Sequence, residues 1–336
     1  MGKTIFFGTD LHNSPSELAS KITRNLAKYF SDSLIVSVQN VKELTSEKEV
    51  FVIHRASKIR KIRFLYQALA IPISLSYLRF KKYDKIATFW TAGSKYHYLL
   101  FKLLKLLKYE IFFTIISDYH TDYHSLKFCD VIICQSDKMY KFIKEKFPDK
   151  NIVLIYPAVD LSIFKPKNKQ DILLIPSIPY KLADFEKRGI SKIIEFLKNN
   201  PKLESIFITR SQEAYEFLEK QKLKSCTIVN KILPDKELSE IMSKCKVIPI
   251  LYEEGPDMPL SAIEGLASGC AIITNNRKGL SEIIKKYKTG IISDNLKSKD
   301  LEELFTKKIY AKNSRKTAEE LFDLREMTKK YSQLLS

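Results

Sequence analysis

The chain has 336 residues, more than one hydrophobic core usually serves, and so predicts two domains. Hydrophobic residues make up 45% and charged residues 29%, the balance of a folded globular protein, which excludes large-scale disorder. The net charge is +18, and two thirds of it falls in one segment: Arg55 to Lys108 holds thirteen Lys or Arg against one acid, Asp84, a net +12. Such a segment suits an anionic membrane or a nucleic acid.

The predicted elements alternate strand and helix. A strand over Thr4–Gly8 empties into a loop with Asp10, His12 and Asn13. Ser14 or Ser16 then caps a helix to about Phe30. Short strands follow over 34–38 and 50–54. The basic segment encloses fifteen uncharged residues, Phe64 to Leu78, flanked by RKIR and RFKK. That run is shorter than the roughly twenty residues of a bilayer span and is interrupted at Pro72. It reads either as an interfacial membrane element or as a buried helix with a solvated basic rim.

A strand over 86–90 leads to an amphipathic helix with Tyr98, Phe101 and Leu104 on its core face and Lys95, Lys102, Lys105 and Lys108 elsewhere. No aromatic-basic module accompanies these lysines, so no nucleic acid is expected. The strand IFFTII ends at Ser117, Asp118, His120, Asp122 and His124. HxDxH crowded into a turn lacks the helical spacing of hydrolytic metal sites, and no metal is expected. The five cysteines, at 129, 134, 226, 245 and 270, have no ligand spacing either and read as buried reduced thiols of a cytoplasmic protein. The opening MGKTIFFGTD enters a strand without the apolar region of a signal peptide.

From Cys129 to Pro166 the chain gives a strand, a helix and a strand leading to Tyr156, Pro157, Val159, Asp160 and Phe164. The polar stretch 166–171 suits a domain boundary. A strand ending near Pro176 opens the second half, and its loop carries Lys181, Lys187 and Arg188 before Gly189 and a helix. Further βα units centre on 206–209, 226–233 and 245–251, and a final helix is expected over Thr317–Leu335.

Residues 251–276, LYEEGPDMPLSAIEGLASGCAIITNN, carry most of the chemistry. An apolar strand runs into Glu253 and Glu254, a turn with Gly255, Pro256 and Asp257, and then Pro259 at a helix start. Glu264 and close-packing Gly265, Ala267 and Gly269 precede a second strand, Ala271–Thr274. In a parallel sheet this loop lies at the carboxyl ends of the strands, where ligands bind, and the first amides of the helix favour a diphosphate. Carboxylates beside a diphosphate do not attract it. They are better suited to accept hydrogen bonds from neutral hydroxyls, so the ligand should carry both phosphate and sugar.

EGPDMPLSAIEGLASG resembles the donor-binding signature of the retaining GT-B glycosyltransferases of family 4, the glycosyl transferases group 1 type. Nine residues separate Glu254 from Glu264 here, against usually about seven in the family. The resemblance extends through 128–166 and 172–198. It implies an α/β chain with two Rossmann-like domains and a nucleotide-sugar cleft between them: residues 1–168, completed by the helix 317–336, for the acceptor, and 169–316 for the donor.

Carried over by position, the resemblance assigns Arg188, of the pair Arg188-Gly189, and Lys181 to the donor diphosphate. Glu264 goes to the ribose and Glu254 to the hexose, with Glu253 as its rival. Gly255, Pro259, Leu260 and the backbone near Ile232 complete the donor side. His120 is a displaced candidate beside the sugar. Asp118, Asp10 and His12 fall on the acceptor side, where the family's usual glycine pair is absent.

The implied reaction is retaining transfer of a hexosyl unit from a nucleotide diphosphate sugar to a hydroxyl, a lipid-linked acceptor or a surface glycan included. No cofactor or metal would be required, and the enzyme would work in the cytoplasm or at the cytoplasmic face of an anionic membrane, held there through 55–108. The alternatives are a GT-B nucleotide-sugar epimerase, an inverting transferase, or a non-catalytic basic protein that binds membrane or nucleic acid.

Overall fold

A computed structural model describes residues 3–8, 18–30, 32–37, 50–52, 60–91, 95–117, 123–276 and 279–336. The chain forms two compact units, Met1–Ile155 with Met327–Ser336, and Tyr156–Glu326. The polar stretch 166–171 lies inside the second unit.

In the first unit the strands are β1 (Lys3–Gly8), β2 (Ser33–Ser37), β3 (Val50–Val52), β4 (Tyr83–Thr91), β5 (Glu110–Ser117), β6 (Val131–Cys134) and β7 (Asn151–Leu154). They form a seven-stranded sheet among the described residues, in the order β3-β2-β1-β4-β5-β6-β7, with every pairing parallel. Near-continuous apolar runs such as VIIC make this possible, because a parallel sheet is covered by helices on both faces. The helices are α1 (Leu18–Tyr29), α2 (Arg60–Phe80), α3 (Lys95–Leu106) and α4 (Asp137–Lys146), the last capped by Ser136, whose Oγ accepts from the Met139 amide at 3.1 Å.

Alternating strand residues divide the core between the two faces. Ile5, Phe7, Ile111 and Phe113 pack with Ile71 and Leu75 of α2, Leu100 and Leu104 of α3, and Ile143 of α4. On the other face Phe89 lies 6.0 Å from the ring of Tyr331, whose hydroxyl is 2.9 Å from Thr114 Oγ1. Tyr331 belongs to the last helix of the chain, so the C-terminal residues close that face.

Pro72 does not interrupt α2. The helix runs unbroken from Arg60 to Phe80 with the proline inside it. A proline removes one donor, here the bond to the carbonyl four residues back, and the burial of Ile71, Leu75 and Leu78 around it carries the helix through. Among the described residues no helix is long and apolar enough to cross a membrane.

The second unit repeats the scheme. Its strands are β8 (Gln170–Ile175), β9 (Ser205–Thr209), β10 (Cys226–Asn230), β11 (Cys245–Ile250), β12 (Ala271–Thr274) and β13 (Gly290–Ile292), ordered β10-β9-β8-β11-β12-β13 and all parallel. The helices α5 (Ile190–Asn199), α6 (Gln212–Lys220), α7 (Asp235–Lys244), α8 (Leu260–Ala267), α9 (Gly279–Tyr287) and α10 (Ser298–Thr306) connect and cover them. Cys129, Cys134, Cys245 and Cys270 are buried and Cys226 is half-buried. Burial pushes the Cys245 thiol up to about 12, which makes it inert.

The C-terminal helix departs from the expectation of one helix over 317–335. It is two, α11 (Ile309–Leu321) and α12 (Leu324–Leu335). The break is imposed by a distant segment: the Val159 amide donates to the Phe322 carbonyl at 3.0 Å, and the Leu324 amide to the Val159 carbonyl at 3.1 Å. Asp323 then caps α12, its Oδ1 accepting from the Arg325 amide at 2.9 Å. Arg315 fastens α11 to the same passage, donating to the Phe164 and Ala267 carbonyls at 2.7 and 2.9 Å.

The hydrogen bonds from the Arg325 side chain hold the Asp323 carboxyl below its ordinary range. A group with a depressed folded pKa stabilises the fold fully above the unfolded value, about 3.9 for Asp, and loses that contribution as pH falls through the folded value. Asp323→Ala should therefore lower the unfolding free energy by about 1 kcal/mol at neutral pH. Urea titrations should show the deficit shrinking progressively below about pH 3.9.

Candidate functional site

In the second sheet the connections diverge between β8 and β11. From β8 the chain moves to β9 on one side, and from β11 to β12 on the other. The loops after these two strands lie at the carboxyl edge where the order diverges, the position where open parallel sheets bind ligands. The β8 loop passes through two 3-10 turns, Leu182–Asp184 and Glu186–Arg188, to Gly189. The β11 loop is Leu251–Pro259.

Gly189 allows the two loops to touch. Its φ is +68°, and a Cβ there would lie 2.5 Å from the Leu251 carbonyl oxygen and 2.6 Å from Leu251 Cβ. A side chain would meet both backbone strain and a clash. With the backbones this close, the Lys187 carbonyl accepts from the amides of Glu253 and Glu254 at 2.8 and 3.1 Å. Side chains add to the junction. Lys187 Nζ stands 2.8 Å from Glu254 Oε2, both about half exposed, and Lys192 Nζ stands 3.3 Å from Glu253 Oε1. The Arg188 guanidinium lies 4.5 Å from the centroid of the Tyr252 ring.

The β11 loop is also held from behind. Asp257 is buried, and its Oδ1 accepts from the Gly279 amide at the start of α9 at 2.6 Å. Asn275 Nδ2 donates to the Tyr252 carbonyl at 3.0 Å. Gly255 turns the chain with a φ of 142°. Pro259 sits at the cap of α8, where helical pairing begins with the Ala262 and Ile263 amides on the Pro259 carbonyl. The preceding amides, of Leu260 and Ser261, belong to the group that a helix start leaves for an anion. Glu264 follows in the second turn and is 4% exposed. Gly265 lets α8 lie against β11, since a Cβ would come 2.5 Å from Ile248 Cδ1.

Thus Arg188, Glu254, Gly255, Pro259, Leu260 and Glu264 all fall on the two loops at the divergence and the helix that follows. Lys181 is exposed at the start of the first 3-10 turn, and Ile232 is exposed after β10. Asp10, His12, Asp118 and His120 lie outside the described residues. The contacts of Lys187, Lys192 and Tyr252 leave no mark in the sequence, and Asp257, a turn residue there, ties the loop to α9. The partner of Asp257 is 22 positions away, beyond any local signal. Among the described residues no three His, Cys, Asp or Glu side chains gather as a metal site.

Two Rossmann-like units with parallel sheets define the GT-B class of fold. Solved structures agree over the whole length. The chain is similar to Anabaena HepE in complex with UDP, at 14% identity and a TM-score of 0.77, covering 99% of each chain. It is similar to sucrose-phosphate synthase from Thermosynechococcus elongatus at 14% identity and 0.75, covering 99% and 98%. A glycosyltransferase from Rickettsia africae gives 18% and 0.72, covering 99% and 97%. No curated protein sequence matches significantly. Residues 178–321 match the family described as glycosyl transferases group 1. That match lies within the second unit and covers less than half of the chain, while the likeness in GT-B fold runs over its whole length.

Gly189→Ala should force the loops after β8 and β11 apart. We expect a loss of stability of about 1 to 3 kcal/mol in thermal or urea unfolding. Proteolysis confined to 176–189 and 251–259 is the expected local signature, and an unchanged protein would show that the contact is dispensable.

Proposed function

We propose that the enzyme transfers a hexosyl unit from a nucleotide diphosphate sugar to a hydroxyl acceptor with retention at the anomeric carbon. The observation that carries this reading is the junction at Lys187 and Gly189, which brings Arg188 and Glu254 to one crevice beside the start of α8. The description of the Anabaena relative with UDP and with UDP-glucose supports a uridine nucleotide as the first donor to try.

In this reading Arg188 and Lys181 face the diphosphate, with the first amides of α8. They stabilise the charge that grows on the departing phosphate, and such stabilisation is strongest where water is excluded. Glu264, already buried on α8, accepts from the ribose hydroxyls. Backbone atoms near Ile232 pass the base. Glu254 accepts from the hexose. Its half-exposed pairing with Lys187 is of the kind worth about 0 to 1 kcal/mol, so a sugar hydroxyl can replace the ammonium at little cost.

The acceptor oxygen approaches on the face the diphosphate leaves. As the bond from the anomeric carbon to the phosphate oxygen breaks, the acceptor oxygen bonds to that carbon and its proton passes to the leaving phosphate. His120 is proposed beside the donor sugar, and Asp10, His12 and Asp118 for the acceptor side, with a lipid-linked or surface glycan acceptor.

Calorimetry and turnover separate these roles. Arg188→Ala should weaken UDP binding by about 1.5 to 3 kcal/mol and leave uridine binding nearly unchanged, with Arg188→Lys giving partial recovery. Glu264→Gln should weaken UDP binding by a similar amount, about 1.5 to 3 kcal/mol. Glu254→Gln should slow transfer while UDP affinity holds. A panel of nucleotide sugars read by nucleotide release tests the whole reading, and a folded protein that binds and turns over none of them would overturn it.

A further inference from the structure

The segment with two thirds of the positive surplus also exposes apolar side chains in an ordered way. Over the described side chains of α2, 69–80, the buried residues are Ile71, Leu75 and Leu78, while Leu69, Ile73, Tyr77 and Phe80 are 61%, 68%, 50% and 83% exposed. At a helix turn of 3.6 residues the second set forms one stripe opposite the first. A helix on the surface of a globular unit should be polar on that side. Here the outward side carries four apolar side chains and, between them, exposed Ser76.

The neighbouring helix continues the pattern. Leu99 and Leu106 of α3 are 66% and 72% exposed, with exposed Lys102 between them on the same face. Both helices bury their other faces in one core on one face of the first sheet. They are tied together where α3 ends: Tyr109 Oη donates to the Leu75 carbonyl at 2.8 Å, and Arg79 Nε to the Leu107 carbonyl at 3.2 Å. Their outward stripes therefore belong to one side of the unit. Cations fringe it, with Lys81 and Lys82 exposed at the end of α2, Lys102 on α3 and Lys108 just beyond it. The Lys81 ammonium lies 5.6 Å from the Tyr77 ring, at the border between the apolar and charged groups.

We propose that the outward face of α2 and α3 docks on an anionic lipid surface. Exposed apolar groups enter the boundary between head groups and acyl chains, and the lysines around them meet the anionic head groups. The charge argues against a second copy of the chain as occupant, because two such faces would bring like charges together. This inference is independent of the donor site, which lies in the other unit.

Sedimentation with vesicles tests it, using neutral phosphatidylcholine and the same lipid mixed with phosphatidylserine. The wild-type protein should partition to the anionic vesicles on the order of tenfold more strongly, and lose that preference in high salt. The triple variant Leu69→Ser, Ile73→Ser and Phe80→Ser should lose binding to both. The double variant K81E and K102E should weaken only the anionic preference, on the order of tenfold or more. Both sets lie on the exposed face, and an unchanged melting curve checks that they fold. Equal partitioning of the wild type to both vesicles, or unaltered binding by the triple variant, would overturn the proposal. So would a wild-type dimer that the triple variant dissolves, which would give the face to a second copy. UDP calorimetry run in parallel keeps a failure here distinct from a failure of the transfer reading.

Discussion

The donor-side arrangement depends on one backbone approach, that of Gly189 to Leu251. Parallel strands place the loops after β8 and β11 side by side, but adjacency leaves them several ångströms of freedom. The left-handed turn at Gly189 removes it, because the absent side chain lets the Lys187 carbonyl accept from two successive amides of the other loop. Arg188 and Glu254 then occupy positions set by main-chain geometry. Their side chains can exchange partners with a ligand while the frame beneath them stays fixed, the preorganisation that transition-state stabilisation requires.

Around that contact each neighbouring element has a defined task. Asp257 ties the β11 loop to the start of α9, and Arg315 draws the C-terminal end of α8 toward Phe164. A cation on the last carbonyls of a helix is favourable, and it leaves the opposite end of the same helix free for an anion. The Val159 pairing that breaks the C-terminal helix at Phe322 belongs to the same frame, since it fixes where α11 stops and α12 begins. The residues of the Tyr156–Phe164 passage, which look in sequence like a signature, act here through backbone bonds and the burial of Phe164.

The elements legible in the sequence were those whose cause is local. Continuous apolar runs such as VIIC and AIIT announce strands covered on both faces, and Ser136 marks the start of α4 by its own side chain. The strand at 226–233 is shorter than its apolar run because Lys231 and Ile232 turn outward after Asn230. What failed to show in sequence depends on partners far away. Nothing in residues 317–335 reveals that Val159 will divide the helix, and nothing near Asp257 points to Gly279. Pro72 misled for the opposite reason: a strong local rule was overridden by the packing of Ile71, Leu75 and Leu78 beside it. In the site, the motif positions were readable, whereas the Lys187 to Glu254 pairing was not, because it needs two loops brought together by a glycine.

The distribution of charge gives a further distinction between the two units. At the junction of the β8 and β11 loops the positive side chains are matched by carboxylates, Lys187 by Glu254 and Lys192 by Glu253, which suits the proposed binding of both a diphosphate and neutral hydroxyls. In the segment 55–108 thirteen cations meet one acid, Asp84, and among its described residues Lys105 finds a carboxylate in Asp130 from outside the segment. A surplus of that size repels itself and disfavours the compact state unless an external anion offsets it. It therefore belongs to a different task from donor binding. The coincidence of that surplus with an outward apolar stripe on α2 and α3 is the reason for proposing an extended anionic surface with an apolar interior over a soluble polyanion, which would offer the exposed leucine, isoleucine and phenylalanine nothing to enter.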